Sequence, residues 1–195
     1  MTIPLKNFYF IRHGETDWNK RGIIMGSKDI ELNSHGISQA EQAKHSFKDL
    51  DIGSIHSSSA KRAHHTANIL NEVLNLSITC TDLLIERGWG VSEGDHVDDF
   101  KHIFIRSVDT IEDHELPVNA ETWSYFRARI IRALTEILES STKPPLIVAH
   151  GGVFLGITAL LGIDNFRAKN CEPYLFKAPR EISDRWNIVN LEDGD

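Results

Sequence analysis

Two histidines in this chain each follow a short apolar run and each precede a glycine. Residues 8–11 lead through Arg12 to His13, and residues 146–149 lead directly to His150. Runs of this length and composition predict buried parallel strands, and a following glycine permits a tight turn. Because the carboxyl ends of parallel strands share one edge of a sheet, we expect both imidazoles to face one site. Either histidine alone is equally consistent with an ordinary strand end, so the residues around them decide the interpretation.

Two arginines accompany these histidines. Arg12 directly precedes His13, and Arg62 is expected just inside the N-terminus of a helix that follows a strand. A fixed cation beside a histidine argues against a metal site and for a bound anion, which a helix N-terminus also favours. A phosphate monoester carries about −1.5 to −2 charges near neutral pH, and paired guanidinium hydrogen bonds satisfy them. The residues therefore predict a phosphate site without a metal ion, and they disfavour a zinc hydrolase.

Breaking a phosphate ester also requires an acid for the departing oxygen. Glu86 follows an apolar stretch and precedes a glycine-containing turn, so it is a candidate for reaching the same crevice. Glu15 and Glu93 are the competing carboxylates. An ion pair between Glu86 and the adjacent Arg87 is the alternative interpretation, and spacing alone does not exclude it.

The rest of the chain alternates between strand and helix patterns, with residues 14–35 as a polar loop. This alternation predicts an α/β fold in which helices cover both faces of a mostly parallel sheet. The predicted helices span about 37–50, 60–74, 121–140 and 152–161, and the further strands about 52–56, 76–80, 173–177 and 186–191. We expect the last two strands to lie toward the edge of the sheet.

The composition is that of an ordinary globular protein. At 195 residues we expect a single domain over 1–195, with a short acidic cap at about 92–121. The net charge of −7 opposes binding to nucleic acid. The first seven residues lack a secretory signal and no segment has membrane-spanning length, so we expect a cytoplasmic protein without a membrane partner.

Four ordered sequence blocks resemble the histidine phosphatase superfamily, the phosphoglycerate mutase-like proteins, over nearly the whole chain. The blocks are Arg12-His13-Gly14-Glu15-Thr16 with Asn19; Ser57-Ser58 with Arg62-Ala63 and Thr66-Ala67; Leu84 and Glu86 with Glu93-Gly94; and His150-Gly151-Gly152. The resemblance implies a three-layer α/β/α sandwich and a phosphohistidine mechanism without metal or cofactor. It also implies a role for each matching residue: His13 as nucleophile, Glu86 as proton donor, and Arg12, Arg62, His150, Asn19 and Gly151 around the phosphate.

The sequence favours a phosphomonoester hydrolase acting on a small phosphorylated metabolite. Mutases that resemble this family hold a doubly anionic phosphoglycerate under a longer, basic cap, whereas residues 92–121 are acidic and offer only Lys101 and Arg106. A phosphoglycerate mutase-type phosphotransferase is one alternative, and a noncatalytic phospho-ligand sensor is another. Substrate identity, pathway and oligomeric state stay open at this point.

Overall fold

A computed structural model of the chain describes residues 2–100, 113–163, 167–181 and 184–192. These residues form one six-stranded sheet. Its strands are β1 (Phe8–Arg12), β2 (Ile55–Ser58), β3 (Ile78–Thr81), β4 (Leu146–Ala149), β5 (Pro173–Lys177) and β6 (Asn187–Asn190). Their spatial order is β3-β2-β4-β1-β5-β6.

Four neighbouring strands of the sheet are parallel. β4 pairs with both β1 and β2, and β2 pairs with β3, all in parallel. β5 runs antiparallel to β1, and β6 runs antiparallel to β5. The mostly parallel sheet expected from the sequence is confirmed, with the last two strands at one edge.

Helices cover both faces of this sheet. They are α1 (Asp17–Lys20), α2 (Ser34–Ala43), α3 (Lys61–Leu74), α4 (Trp123–Ser140) and α5 (Gly151–Leu160). Because successive strand residues point to opposite faces, Phe10 packs in the cluster with α4 and α5, whereas Ile11 packs in the cluster with α2 and α3. The predicted three-layer α/β/α sandwich is confirmed.

The observed strands differ from the predicted bounds where polar residues extend a strand. β2 reaches Ser58 and β3 reaches Thr81, beyond the predicted ends, because both pair along their full length although their last residues are not apolar. Hydrophobic pattern alone places a strand end too early at such positions.

Two helical predictions also need correction. α2 begins at Ser34 because the Asn33 side chain accepts from Gly36 N, and it gives way after Ala43 to a 3-10 turn over Lys44–Phe47. The loop predicted over 14–35 contains α1, capped by Thr16. Both starts depend on side-chain capping, a local signal that the apolar spacing does not include.

The acidic segment 92–121 is only partly described. Its described parts include the 3-10 turns Val97–Phe100 and Asp113–Glu115, while Lys101 and Arg106 lie outside the described residues. Val97 N donates to Gly22 O at 2.8 Å, so this segment lies beside the chain that follows α1. In the described ranges, no helix has both the length and the apolar character needed to cross a membrane.

The topology places the carboxyl ends of four strands at one edge. His13 follows β1, His150 follows β4, Arg62 lies at the start of α3 after β2, and Glu86 follows β3. The described structure therefore brings four separate stretches of sequence to this edge, where an open parallel sheet forms its crevice.

A close approach of two main-chain segments supports this edge. A Cβ atom on Gly36 would overlap the main chain of Glu15. We expect Gly36→Ala to lower the free energy of unfolding by about 1–3 kcal/mol, even though alanine favours helix, because the backbone must move. Urea unfolding measures this change. Gly88→Ala is the matched control, since its Cβ meets only ordinary contacts at 3.7 Å; equal losses in the two variants would contradict the prediction.

Candidate active site

The two imidazoles predicted to share a site lie next to each other. The ring centroids of His13 and His150 are 5.1 Å apart and the ring planes are inclined at 63°. His13 is 2% exposed and His150 is fully buried. The prediction that the two strand ends converge is confirmed.

Hydrogen bonds fix the tautomer of His13. Its Nδ1 lies 2.7 Å from the Gly14 carbonyl, and because a carbonyl only accepts, Nδ1 carries the hydrogen. Arg62 Nε donates to His13 Nε2 at 3.3 Å, so Nε2 is unprotonated. Burial, followed by the charges of Arg62 and Arg12, lowers the pKa of His13 well below its usual value. The ring is therefore neutral, with a lone pair on Nε2.

The main chain holds the Arg62 guanidinium in place. Its two terminal nitrogens donate to Lys28 O at 2.7 Å and to Gly26 O at 3.1 Å, and the residue is 1% exposed. Burial lowers the pKa of Arg62, and the Glu86 carboxylate opposes that shift. Carbonyl partners orient the guanidinium without neutralising its charge.

Arg12 lines the same cavity as His13 and Arg62. One terminal nitrogen donates to Ala168 O at 3.2 Å, and its Nε has no hydrogen-bond partner among the described residues. A Cβ on Gly151 would lie 3.4 Å from the Arg12 guanidinium carbon, so Gly151 is adjacent to this side chain. The role of Gly151 in the anion site stays a prediction.

His150 has one bonded ring nitrogen. Its Nε2 lies 2.8 Å from Ser58 Oγ, while Nδ1 has no partner among the residues that the structure describes. Burial lowers the pKa of His150 well below its usual value, with further contributions from Arg62, His13 and Arg12. A buried nitrogen without a partner, next to two arginines, is suited to contact a bound anion.

Asn19 is oriented by the cap of α1. Thr16 N donates to Asn19 Oδ1 at 3.2 Å, and Asn19 N donates to Thr16 Oγ at 3.1 Å. Because Oδ1 already accepts, the Nδ2 amino group of Asn19 is the donor that remains for a ligand. Its side chain lines the same cavity as His13.

The three carboxylates that the sequence left open occupy different places. Glu86 lines the cavity with His13, and its carboxylate accepts from Gly152 N at 2.9 Å and from its neighbour's main-chain N–H at 2.9 Å. Glu15 accepts from Asn33, outside this cavity. Glu93 accepts from Ser27 N and Trp89 N. Of the three, only Glu86 lines the cavity beside His13.

Arg87 does not pair with Glu86 in the way the alternative interpretation required. Its guanidinium lies between the rings of Trp89 and Trp123, 4.6 and 4.1 Å from their centroids, and donates to the Glu121 carbonyl. Burial lowers the pKa of Arg87 to about 10. Its main-chain N–H, not its guanidinium, makes the hydrogen bond to Glu86.

A second arginine fixes the segment that carries Glu86. Arg129 of α4 donates to Leu83 O and Ile85 O, both at 2.8 Å, and forms a paired interaction with the Glu121 carboxylate at 2.8–2.9 Å. The main chain just before Glu86 is therefore held by α4.

Five of the predicted site residues, Arg12, His13, Asn19, Arg62 and Glu86, line a cavity of about 220 Å³, whereas His150 and Gly151 lie behind its lining. Its charged wall consists of two guanidinium groups and one carboxylate, a balance that favours an anion. The lining includes Arg12, His13, Asn19, Met25, Arg62, Glu86 and Trp89. Within the described ranges, no three His, Cys, Asp or Glu side chains are grouped so as to hold a metal ion.

Sequence reasoning missed the supporting contacts behind the cavity. Asn170 donates to the His13 carbonyl at 2.7 Å, and Ala168 supplies the carbonyl for Arg12. Both belong to the connection between α5 and β5, whose sequence has no periodic pattern that could have indicated them. The hydrogen bond between Ser58 and His150 was not predicted either, although Ser58 belongs to one of the sequence blocks that resemble the family.

The profile of the histidine phosphatase superfamily (branch 1) matches residues 8–176. The chain belongs to this superfamily. It is 36% identical over 142 residues to the Bacillus subtilis "Uncharacterized phosphatase PhoE", covering 72% of this chain and 69% of that protein. It is 33% identical over 175 residues to a Klebsiella pneumoniae "Probable phosphoglycerate mutase GpmB", covering 84% and 80%. The structure of the alpha-ribazole phosphatase from Shigella flexneri superposes with a TM-score of 0.78 at 25% identity, covering 94% and 95%.

The buried neutral histidines predict a dependence of stability on pH. An unfolded histidine titrates near pH 6.5, whereas folding lowers the pKa of both His13 and His150. Below about pH 6.5 the unfolded state therefore binds protons that the folded state does not, so the free energy of unfolding falls as the pH falls. Each histidine contributes a slope of up to about 1.4 kcal/mol per pH unit.

Urea unfolding between about pH 7.5 and 5.0 measures this slope. In His13→Asn, we expect the slope of the free energy of unfolding against pH to be smaller by up to about 1.4 kcal/mol per pH unit, because asparagine does not titrate. An unchanged slope in His13→Asn would contradict the prediction.

Proposed function

We propose that the protein hydrolyses small phosphomonoesters through a phosphohistidine intermediate on His13. The observation that carries this proposal is the neutral His13 ring, whose Nε2 lone pair lies beside two guanidinium groups at the cavity. A nucleophile with a fixed tautomer next to donors for a phosphoryl group is the arrangement that phosphoryl transfer requires. The phosphatase name of the Bacillus subtilis relative agrees with the proposal.

In the first step, the hydrogen bond from Arg62 Nε to His13 Nε2 breaks, Arg62 donates to the phosphoryl oxygens instead, and Nε2 attacks phosphorus in line with the leaving oxygen. A nitrogen–phosphorus bond forms while the ester oxygen–phosphorus bond breaks, and protonated Glu86 gives its proton to the departing oxygen. The hydrogen bond from Nδ1 to Gly14 O stabilises the positive charge that develops on the ring.

In the second step, water replaces the leaving alcohol. The Glu86 carboxylate takes a proton from this water as its oxygen attacks phosphorus, and the nitrogen–phosphorus bond breaks. Inorganic phosphate leaves and neutral His13 is restored. The same carboxyl group thus acts as acid in the first step and as base in the second.

The remaining predicted residues surround the phosphoryl oxygens in this proposal. Arg12 and Arg62 supply charge-assisted hydrogen bonds, and His150 and Asn19 add donors. Gly151 lies beside the Arg12 side chain. Because their carbonyl partners hold the guanidinium groups before substrate binds, little reorganisation is needed at the transition state.

Other expectations from the sequence stay predictions. These are a single domain over 1–195, the acidic segment at 92–121 as a cap, a cytoplasmic location and the exclusion of nucleic acid as a partner. A mutase activity is the second candidate function, because one relative carries the name of a phosphoglycerate mutase.

The division of labour between His13 and Glu86 is testable by acid-quench detection of phosphorylated protein. We expect no labelled protein and no turnover from His13→Ala, because no covalent intermediate forms. We expect Glu86→Gln to retain labelling but to lower turnover of alkyl phosphates by about 100- to 10,000-fold. The loss should be smaller for 2,4-dinitrophenyl phosphate, whose leaving group needs no proton.

Glu15→Gln is the matched control, since this carboxylate lies outside the cavity. Normal turnover by His13→Ala would refute the mechanism. Binding of phosphate without turnover of any phosphomonoester would favour the noncatalytic sensor instead.

Hydrolysis and isomerisation can be separated with phosphoglycerates. We expect slow release of inorganic phosphate from 3-phosphoglycerate and no formation of 2-phosphoglycerate, with or without bisphosphoglycerate as primer. The acidic residues of the 92–121 segment are the physical reason, because they repel a doubly anionic substrate. Isomer analysis by nuclear magnetic resonance measures both products, and efficient isomerisation would replace the hydrolase proposal with the mutase.

A further inference from the structure

A second, larger cavity adjoins the one that contains His13. Its volume is about 580 Å³, within the range that holds drug-sized ligands. Glu86 lines both cavities, so they meet at this carboxylate. The lining of the larger cavity includes Asp82, Ile85, Asn119, Glu121, Tyr125 and Arg129.

The position of Glu86 determines what the second cavity holds. The proposed mechanism places the leaving oxygen within reach of Glu86, with phosphorus on the side of His13. The alcohol attached to that oxygen must then extend away from His13, past Glu86. The larger cavity is therefore the space available to the leaving group.

The charges on the described wall of this cavity are mainly negative. Asp82, Glu86 and Glu121 are acidic, and Arg129 is basic. Arg129 is already committed, because its guanidinium donates to the Glu121 carboxylate and to two main-chain carbonyls. Asp82 is exposed and accepts from Ser59 Oγ at 2.5 Å, so its charge faces the cavity without a cationic partner in the described part of the chain.

The remaining wall offers apolar surface and neutral hydrogen-bonding groups. The Tyr125 side chain is 68% exposed at this wall, and Ile85 contributes a second apolar surface. Asn119 and Thr122 supply uncharged polar groups. An exposed aromatic ring at a cavity wall provides a flat contact for another ring.

We propose that this cavity is a leaving-group subsite for ring-bearing alcohols that are cationic or uncharged, and that Asp82 and Tyr125 determine this specificity. The inference rests on the proposed phosphatase function and adds the chemical class of the substrate. A second anionic group on the alcohol would lie near the carboxylates of this wall. Such a group is disfavoured, because Arg129, the cation of the described wall, is already paired with Glu121.

Three matched substrates test the charge preference: 4-ethylphenyl, 4-(2-aminoethyl)phenyl and 4-(2-carboxyethyl)phenyl phosphate. The two-carbon spacer keeps the acidity of the phenol similar, so differences in kcat/KM report binding of the substituent. We expect the order amine, ethyl, carboxylate, with steps of about three- to ten-fold, as one partly screened charge interaction would give.

Two pairs of variants assign the preference to residues. Asp82→Asn should reduce the ratio of amine to carboxylate substrate by about three- to ten-fold. Asp49→Asn is the charge-matched control, because Asp49 is exposed and precedes β2, at the opposite edge of the sheet from His13. Tyr125→Ala should raise KM for all three aryl substrates, and Tyr125→Phe should retain the normal KM.

The outcomes separate this inference from the proposed function. Absence of turnover and of phosphorylated protein with all three substrates would refute the phosphatase itself. Turnover with equal kcat/KM for the amine and the carboxylate, or preference for the carboxylate, would overturn the subsite while leaving the phosphatase intact. The subsite would also be overturned if Asp82→Asn and Asp49→Asn changed the ratio of kcat/KM for the amine to that for the carboxylate by the same factor.

Discussion

The hydrogen bond from Arg62 Nε to His13 Nε2 is the interaction on which the rest of the site depends. It forms only while Nε2 is unprotonated, and the bond from Nδ1 to Gly14 O holds the hydrogen on the other nitrogen. Burial and the Arg62 charge together lower the pKa of His13 and keep the imidazole neutral, and Arg62 places a cation beside its lone pair. The carbonyls of Gly26 and Lys28 orient the guanidinium. The charge that a phosphoryl group needs is therefore present before the group arrives.

Holding this charge in the protein interior has a cost that the surrounding fold must offset. Burial lowers the pKa of Arg12, Arg62 and both imidazoles, which is the expected result of removing water from cationic groups. Neutral imidazoles limit the number of buried charges to those of the arginines. The apolar clusters on both faces of the sheet supply compensating stability away from the site. The fold can thus support buried cationic groups at one edge of the sheet.

Particular elements show how far the sequence could be interpreted and where it could not. The strands before His13 and His150 are continuous apolar runs, so their existence and parallel burial were predictable from residue type alone. The helix that begins beside Arg62 was predictable from its spacing of apolar residues. The ends of β2 and β3 could not be predicted. Ser58 and Thr81 join the sheet through main-chain pairing, and the polarity of a side chain does not indicate whether its main chain pairs. The short helix α1 depends on one threonine cap.

By itself, the sequence determined the α/β class, the family and the residue types that meet at one edge, since these follow from local periodicity and ordered motifs. The family resemblance implied Glu86 as the proton donor, but residue type and spacing left Glu15 and Glu93 as competitors, and only the tertiary structure shows which carboxylate lines the cavity with His13. Glu15, Glu86 and Glu93 are chemically alike and all stand near motif residues, but only Glu86 is fixed at the cavity, by main-chain donors and by the contacts of Arg129. The contacts made by Gly152 N and by Arg129 join positions more than 40 residues apart along the chain. No local pattern encodes such a pairing, because it arises only when separate elements pack together.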